Sequence, residues 1–458
     1  MVVFTDGKFN FVYSLLSYFT FFALTVSEYV PGHLKPLGHH RKSLGGVTIL
    51  KEFPSPTDFY ENYIAKSEPF VVKGVLENGQ FPAYKLWTDQ YLEEKYGRIY
   101  VDVEGGKKED RNAQAYAMPM SKFLQIYNQS NVYMVYDVAK EMKADITIPI
   151  SLQCGGLEKA IKSVIMWFSS GGTRSVLHND GLDNINCLLD GNKDLIMFHK
   201  KYKPEIEADH FMQYGSYSKV DVEAVDMEKF PKLRDLPWYM ANITKGDCLF
   251  IPYQWYHQVY SHSGRNLAVN IWSNHLRWFD KTACKESEDK LKPKSLKNIE
   301  LKNEEEFSLD DEVRDMFLDA LDDLKTVNFE DFAVRIRKIA VKEVPDDALI
   351  KMFDIIDNDK NGILTMDEFH TCDFSEMFEQ IPDFESFFTN NDQDALDGKN
   401  DQELPGNDYY NQQPMLVEME DDVSFLLNPK KPQEITLNDE NIQEETNDQI
   451  RNTGKEEL

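Results

Sequence analysis

His178-Asn-Asp180, followed after a long interval by His257, is the set of residues in this chain best suited to do chemistry. Two imidazoles and one carboxylate can occupy one face of an octahedral ferrous ion, leaving three positions for an oxidisable co-substrate and dioxygen. That is an oxygenase site in outline. The His-x-Asp pair alone is a weak signal, because 10 histidines among 79 acidic residues produce one by chance. An isolated buried histidine is more often hydrogen-bonded core than a ligand.

The surrounding elements carry the argument further. Asn184-Ile-Asn-Cys-Leu-Leu189 and Lys193-Asp-Leu-Ile-Met-Phe198 read as strands flanking the turn signal Asp190-Gly191. A two-residue turn there sets Leu188 opposite Lys193 and Asn186 opposite Leu195, so that Asn184, Asn186 and Lys193 project from one face. A lysine on the inner face of an apolar hairpin needs an anion. The distal half repeats the logic, with Lys245-Gly246-Asp247 as a turn, Cys248-Leu-Phe-Ile-Pro252 as a buried strand, Trp255 to Tyr260 as the next and Leu267 to Trp272 as its return. A four-residue loop over His262 to Arg265 then sets His257 opposite Asn270.

On these residues the chain resembles the JmjC-type, cupin-fold 2-oxoglutarate oxygenases, and within them the small JmjC hydroxylases. The resemblance runs from Thr48 to Trp278 and includes an entry segment of Phe53-Pro-Ser-Pro, Phe59-Tyr-Glu-Asn-Tyr, Glu68-Pro-Phe-Val-Val-Lys-Gly74 and Trp87-Thr-Asp-Gln-Tyr-Leu92. It implies a double-stranded β-helix (jelly roll, or cupin) domain over residues 40–285, with Fe(II) held by His178, Asp180 and His257. It further implies that Ser175, Asn184 and Lys193 hold 2-oxoglutarate, Lys193 pairing the distal carboxylate and Tyr133 lying beside it. Asn270 and Trp272 match a Val-Asn-x-Trp pattern next to the distal histidine. Ser175 stands where threonine is more usual, and either hydroxyl can donate to a carboxylate. The implied reaction is hydroxylation of a protein or peptide with oxidative decarboxylation of 2-oxoglutarate to succinate.

A second constellation lies downstream. Asp357-x-Asp359-x-Asn361-Gly362-x-Leu364-x-x-x-Glu368 matches an EF-hand loop, with oxygen ligands at positions one, three and five, glycine at the sharp turn and a bidentate glutamate at twelve. Its calcium ligands would be Asp357, Asp359, Asn361, the Ile363 carbonyl, Thr365 directly or through water, and Glu368. The bland alternative is an acidic helix-turn-helix. Val313 to Leu321 and Val327 to Phe332 resemble the flanks of a partner hand whose loop, around Asp322 to Thr326, has lost ligand spacing. The expected architecture is therefore α+β: the jelly roll, a linker over 286–308, an all-α EF-hand pair over 309–380 and a largely disordered acidic tail over 381–458. Within that tail, Val423-Ser-Phe-Leu-Leu427 stands out as a docking patch.

The ends of the chain bear on location. Phe9 to Val26 is an apolar run followed by small residues, and reads as a signal peptide over 1–27 in preference to an uncleaved anchor. The last residues, Lys455-Glu-Glu-Leu458, vary the Lys-Asp-Glu-Leu address read by the endoplasmic reticulum retrieval receptor. Together they point to the endoplasmic reticulum lumen, with no stable membrane span once the signal is cleaved. Of five cysteines, Cys187 and Cys248 sit in expected barrel strands and read as small buried hydrophobes, not as a disulfide. A net charge of -29 and a pI near 4.7 disfavour nucleic acid and favour basic or calcium-rich partners. The competing reading is a catalytically silent cupin domain in a calcium-binding luminal interaction or chaperone-like protein. An intact co-substrate anchor at Ser175, Asn184 and Lys193 argues against it.

Overall fold

The structure is a computed structural model that describes residues 30–388 apart from 80, 107–114, 209–210, 212–215, 278, 285–289, 300, 302–308 and 322–325, together with Val417 and Glu418. The expected signal peptide, the degenerate loop over Asp322 to Lys325, the Val423 to Leu427 patch and the C-terminal address lie outside the described residues. No helix among the described residues is long and apolar enough to cross a membrane.

The architecture is mixed α+β, a cupin-type sandwich of two β-sheets followed by a helical region. The sandwich strands are β1 (Thr48–Leu50), β2 (Phe70–Val72), β3 (Tyr100–Gly105), β4 (Ala115–Pro119), β5 (Val132–Asp137), β6 (Ile161–Ser169) and β7 (Thr173–Arg174). There follow β8 (Asp183–Asp190), β9 (Asn192–Phe198), β10 (Tyr239–Thr244), β11 (Cys248–Ile251), β12 (Tyr256–Ser261) and β13 (Asn266–Ser273). The larger sheet runs β1-β2-β11-β8-β13-β6-β5-β3-β4, with Val417–Glu418 added at the β4 edge, and the smaller runs β10-β9-β12-β7.

This order corrects both expected hairpins. β8 and β9 do not pair: β8 lies between β11 and β13, and β9 between β10 and β12. Asn186 faces Leu249 and Asn270, not Leu195, while Lys193 faces Ile243 and Ser261, not Leu188. Likewise β12 and β13 lie in different sheets, so His257 stands opposite Met197, and Asn270 opposite Asn186 and Ile165. The chain changes sheet at each of these turns. A short polar turn permits either a hairpin or a crossing, and alternation specifies which face is buried but not which strand is the neighbour. At the first crossing Gly191 is required: its φ is 92°, and a Cβ there would meet the Asn266 side chain at 2.5 Å and the Arg265 carbonyl at 2.8 Å. Arg265 fixes the crossing by donating to Asp190 (2.9 Å), to Asp89 (2.8 Å) and to the Trp87 carbonyl (2.7 Å).

Strand alternation sorts the side chains into layers. Ile185, Cys187 and Leu189 of β8 join Leu267, Val269 and Ile271 of β13 in the outer core, under the helices Asp89–Tyr96 and Met120–Ile126. The opposite faces of the two sheets meet around Leu188, Leu195, Met197, Ile243, Leu249 and Ala268, which fill part of the interior. The exterior of the smaller sheet is covered by a third cluster that includes Phe198, Val222, Leu233 and Tyr256. The helical region has its own core, built on Phe317, Phe332, Leu349, Ile356 and Phe369.

Three further expectations are corrected. Cys187 and Cys248 face each other across β8 and β11 and are disulfide-bonded, with a second bridge between Cys154 and Cys284; Cys372 is in neither bridge. The reading of the first pair as mere buried hydrophobes failed because strand neighbourhood was not legible. The expected linker packs on the barrel, with Lys294–Ser295 pairing with Thr147–Ile148 and Leu296 fully buried. The expected tail starts too early, because Ile381, Phe384 and Phe388 are buried in the helical core.

Non-reducing peptide mapping should recover Cys187 joined to Cys248 and Cys154 to Cys284, with Cys372 alone open to alkylation. Replacing Cys187 and Cys248 together by alanine should lower the unfolding free energy by about 2–4 kcal/mol in a denaturant titration. A map joining Cys187 to any other cysteine would overturn the strand order.

Candidate metal and co-substrate site

The barrel's polar residues gather at one mouth and along the adjoining inner wall. His178 and Asp180 lie in the segment entering β8, and His257 is the second residue of β12. His178 and His257 exchange backbone hydrogen bonds in both directions, at 3.1 and 2.7 Å, so the two ligand-bearing segments are fixed side by side. The imidazole centroids are 4.3 Å apart. Asp180 Oδ1 is 3.9 Å from His178 Nε2 and Asp180 Oδ2 is 3.7 Å from His257 Nε2. One ligand atom from each of the three residues converges within 4.8 Å.

The tautomers follow from the hydrogen bonds. His178 Nδ1 lies 2.9 Å from the Val176 carbonyl and His257 Nδ1 lies 3.0 Å from the Trp255 carbonyl. A carbonyl only accepts, so each Nδ1 carries a proton, and in the neutral ring each Nε2 turns its lone pair to the common point. This is the usual way in which outer hydrogen bonds orient imidazole ligands.

Lys193 lies behind the triad on the inner face of β9. Lys193 is 4% exposed as a residue, and its ammonium donates to Ser261 Oγ at 2.8 Å and forms no ion pair with a carboxylate among the described residues. Burial pulls its pKa from 10.5 down to about 8. The facing wall carries buried polar atoms with no partner among the described residues: Asn184 Oδ1, Asn186 Oδ1, Asn270 Oδ1, Ser163 Oγ and Trp167 Nε1. Such groups are costly to leave unmet. A dicarboxylate offers an anion to Lys193 and acceptors to the Ser163 hydroxyl and the Trp167 indole, whereas the asparagine Oδ1 atoms accept only and call for a donor. Tyr133 packs its ring against Trp167, 5.6 Å between centroids. Ser175 is half-buried; its hydroxyl accepts from Val259 N (2.8 Å) and donates to the Val176 carbonyl (3.0 Å), so holding a ligand through it requires an exchange of bonds.

The structure thus brings His178, Asp180 and His257 together and points Asn184, Lys193 and Asn270 into one interior, although not through the expected hairpins. Sequence reading placed Asn186 on the inner face but missed Ser261, Ser163 and Trp167 as interior polar groups. Ser261 was within reach, since alternation from His257 through Val259 places it on the same face. For Trp167 the residue identity alone carried no signal.

The C-terminal loop forms a second cluster. Asp357, Asp359 and Glu368 bring carboxylate oxygens within 4.8 Å of one another. Gly362 has φ of 79°, and the Asn361 and Gly362 amides donate to Asp357 at 3.1 and 2.9 Å. Thr365 caps the helix Met366–Thr371, accepting from the Glu368 amide at 3.4 Å while Glu368 accepts from the Thr365 amide at 2.8 Å. Ile363–Thr365 pairs antiparallel with Thr326–Asn328, joining the two helix pairs.

Comparison with known proteins agrees with the geometry of the first site. Residues 56–277 match the cupin-like domain family, and the barrel is a cupin-like JmjC domain, related to iron and 2-oxoglutarate oxygenases. The chain is 26% identical over 246 residues to lysine-specific demethylase 8 of Xenopus tropicalis, covering 51% of this chain and 54% of that protein. It is 28% identical over 228 residues to lysine-specific demethylase JMJ30 of Arabidopsis thaliana, covering 47% and 52%. It is also 20% identical over 266 residues to the human bifunctional peptidase and (3S)-lysyl hydroxylase JMJD7, covering 49% and 83%. The chain spans about half the length of the first of these curated relatives.

The depressed pKa of Lys193 gives a signed pH dependence. Its charged form is disfavoured in the folded state, so the penalty is fully present below pH 8 and disappears as pH rises toward the unfolded value of 10.5. Without added dicarboxylate, melting temperature should rise between pH 7 and 9.5 relative to a Lys193→Met variant, whose own profile should lack that component. Parallel profiles would show that the ammonium is not buried without a counter-ion.

Proposed function

We propose that this protein is an Fe(II)- and 2-oxoglutarate-dependent dioxygenase that hydroxylates a protein side chain in the lumen of the endoplasmic reticulum, and that its helical region is an EF-hand pair binding one Ca²⁺. The observation that carries the catalytic reading is the joint placement of a two-histidine, one-carboxylate cluster and a buried lysine with no carboxylate partner among the described residues. A silent domain has no physical need for the second.

His178, Asp180 and His257 would hold the iron. Lys193 would hold the distal carboxylate of 2-oxoglutarate, with Tyr133, Asn184, Asn270 and Ser175 around it. Bound together, iron and 2-oxoglutarate supply oxidation of a C–H bond coupled to decarboxylation. The chain's own contribution is positional. The Val176 and Trp255 carbonyls aim both imidazoles with Nε2 toward the common point, the Lys193 ammonium orients the co-substrate, and Leu188, Leu195 and Ala268 make the adjoining interior apolar. The relatives' names describe lysine demethylases and a lysyl hydroxylase. Hydroxylation is preferred to histone demethylation here because the expected luminal address separates the chain from chromatin.

Two disulfides support that compartment, since such bridges persist in oxidising environments. Calcium binding is supported by the Asp357, Asp359 and Glu368 cluster around the Gly362 turn. The Asn-x-Ser/Thr tripeptides Asn128-Gln-Ser130 and Asn242-Ile-Thr244, acceptor sequences for N-glycosylation in a secretory compartment, present exposed asparagines.

Purified chain with Fe(II), ascorbate and oxygen should convert 2-oxoglutarate to succinate without a peptide, and His178→Ala should abolish this. Turnover that persists in His178→Ala would sink the site. The luminal reading predicts endoglycosidase-sensitive mass on Asn128 or Asn242 in cells, and unmodified asparagines at both would count against it. For the calcium site, Glu368→Gln should reduce calcium affinity at least about tenfold by titration calorimetry, while an unchanged isotherm would remove the EF-hand.

A further inference from the structure

Asp183 is the third residue beyond Asp180, is only 2% exposed, and belongs to no part of the ligand set proposed above. Both of its carboxylate oxygens are used. Oδ1 accepts from the Tyr253 amide at 2.8 Å, and Oδ2 receives the Nδ1–H of His275 at 2.9 Å. The His275 and Tyr253 rings stack at 4.7 Å with 17° between their planes. One carboxylate thus grips the end of β13, where His275 follows Ser273, and the turn between β11 and β12.

That turn touches both halves of the metal cluster. The Gln254 amide donates to the Asp180 carbonyl at 2.9 Å, and Gln254 adopts φ of 60°, a left-handed conformation that a residue with a side chain holds only when its surroundings impose it. The Gln254 side chain is itself anchored on the Tyr253 hydroxyl at 2.9 Å. The next residue, Trp255, supplies the carbonyl that orients His257, and its indole donates to Ser67 at 3.0 Å. A continuous path of short contacts therefore runs from His275 through Asp183 and Tyr253 to Asp180 on one branch and to His257 on the other.

We propose that Asp183 and His275 are positioning residues of the metal site: their contact holds the Tyr253–Trp255 turn in its strained conformation, and through it sets the directions of Asp180 and His257. The inference rests on the iron-site reading above. Neither residue touches the metal position, so the expected loss is in metal affinity of the folded protein and not in the fold itself. Outer hydrogen-bond partners of metal ligands commonly contribute a factor of about 10–100 in affinity.

The test uses Mn(II) as the probe, followed by electron paramagnetic resonance on the full chain, with calcium in excess to saturate the C-terminal loop. Asp183→Asn and His275→Ala should each weaken Mn(II) binding on the order of tenfold while retaining the parent's far-ultraviolet circular dichroism. If the two act as one unit, the double variant should be no weaker than Asp183→Asn by more than about twofold. His275→Gln, which keeps a donor for Asp183, should recover most of the affinity lost in His275→Ala. Folded variants that bind Mn(II) within twofold of the parent would overturn the proposal, as would equal losses in His275→Gln and His275→Ala. Should Asp183→Asn not fold, the partly exposed His275 pair of variants decides alone. A parent that binds no Mn(II), or binds it equally in His178→Ala, removes the iron-site reading itself, an outcome distinct from normal parental binding with unaffected variants.

Discussion

Every short turn between β8 and β13 carries the chain across the sandwich or returns it there, and the site exists because of that constraint. β8, β11 and β13 lie in the larger sheet, while β9, β10 and β12 lie in the smaller. Residues close in sequence on either side of a turn consequently face one another through the interior and do not lie side by side. Asn184 and Asn270 occupy one wall, and Lys193 and His257 the other. A hairpin topology would have kept each pair on a single surface, with no enclosed volume between them. The glycine at 191 and the Arg265 contacts to Asp190, Asp89 and Trp87 hold the first of these crossings in place.

Enclosure has an electrostatic consequence. The inner volume is divided between an apolar portion around Leu188, Leu195, Met197 and Leu249 and a polar portion that contains a fully buried ammonium. A single hydroxyl cannot replace the hydration of a cation, which is why the Lys193 pKa falls to about 8. Optimising stability alone would place methionine or leucine there. The retained charge makes sense as a binding device: a carboxylate arriving from outside regains in the interior an interaction that is much weaker in water. The two imidazoles illustrate the complementary case. Their Nδ1 protons are committed to carbonyls, which aims each Nε2 at the common point, so the same interior holds one group awaiting an anion and two placed to receive a cation.

Legibility from sequence divides along a physical line. His178, Asp180 and His257 could be selected because together they form a metal-ligand set, Lys193 because a charge is unusual in an apolar strand, and the Asp357 to Glu368 loop because its ligands are contiguous. Alternation then gave the correct facing of Asn184 and Lys193 even though the expected hairpin was wrong, since facing depends on local period and neighbourhood does not. What needed neighbourhood was lost: the Cys187–Cys248 bridge, the Ser261 partner of Lys193, and the Asp183 contact with His275. Composition misled at the domain borders for a related reason. Leu296, Phe384 and Phe388 are few among charged residues, yet each is buried, and a small number of large apolar side chains is enough to dock a segment onto an existing core.

The disulfides bear on location more than on folding. A barrel whose outer core already contains Phe59, Phe70, Phe168 and Phe250 buries enough apolar surface to fold without covalent ties, unlike the small secreted domains that depend on them. Bridges that a fold does not require are informative about the solvent in which it matures. The Cys187–Cys248 bridge ties elements close to the site, Cys187 lying within the strand that carries Asn184 and Asn186, and Cys248 opening the strand that leads to His257. An oxidising lumen would therefore stiffen the wall against which the metal ligands are set, and the same compartment would keep the acidic C-terminal loop supplied with calcium. The location proposed from the two ends of the chain and the chemistry proposed from its middle thus place compatible demands on one environment.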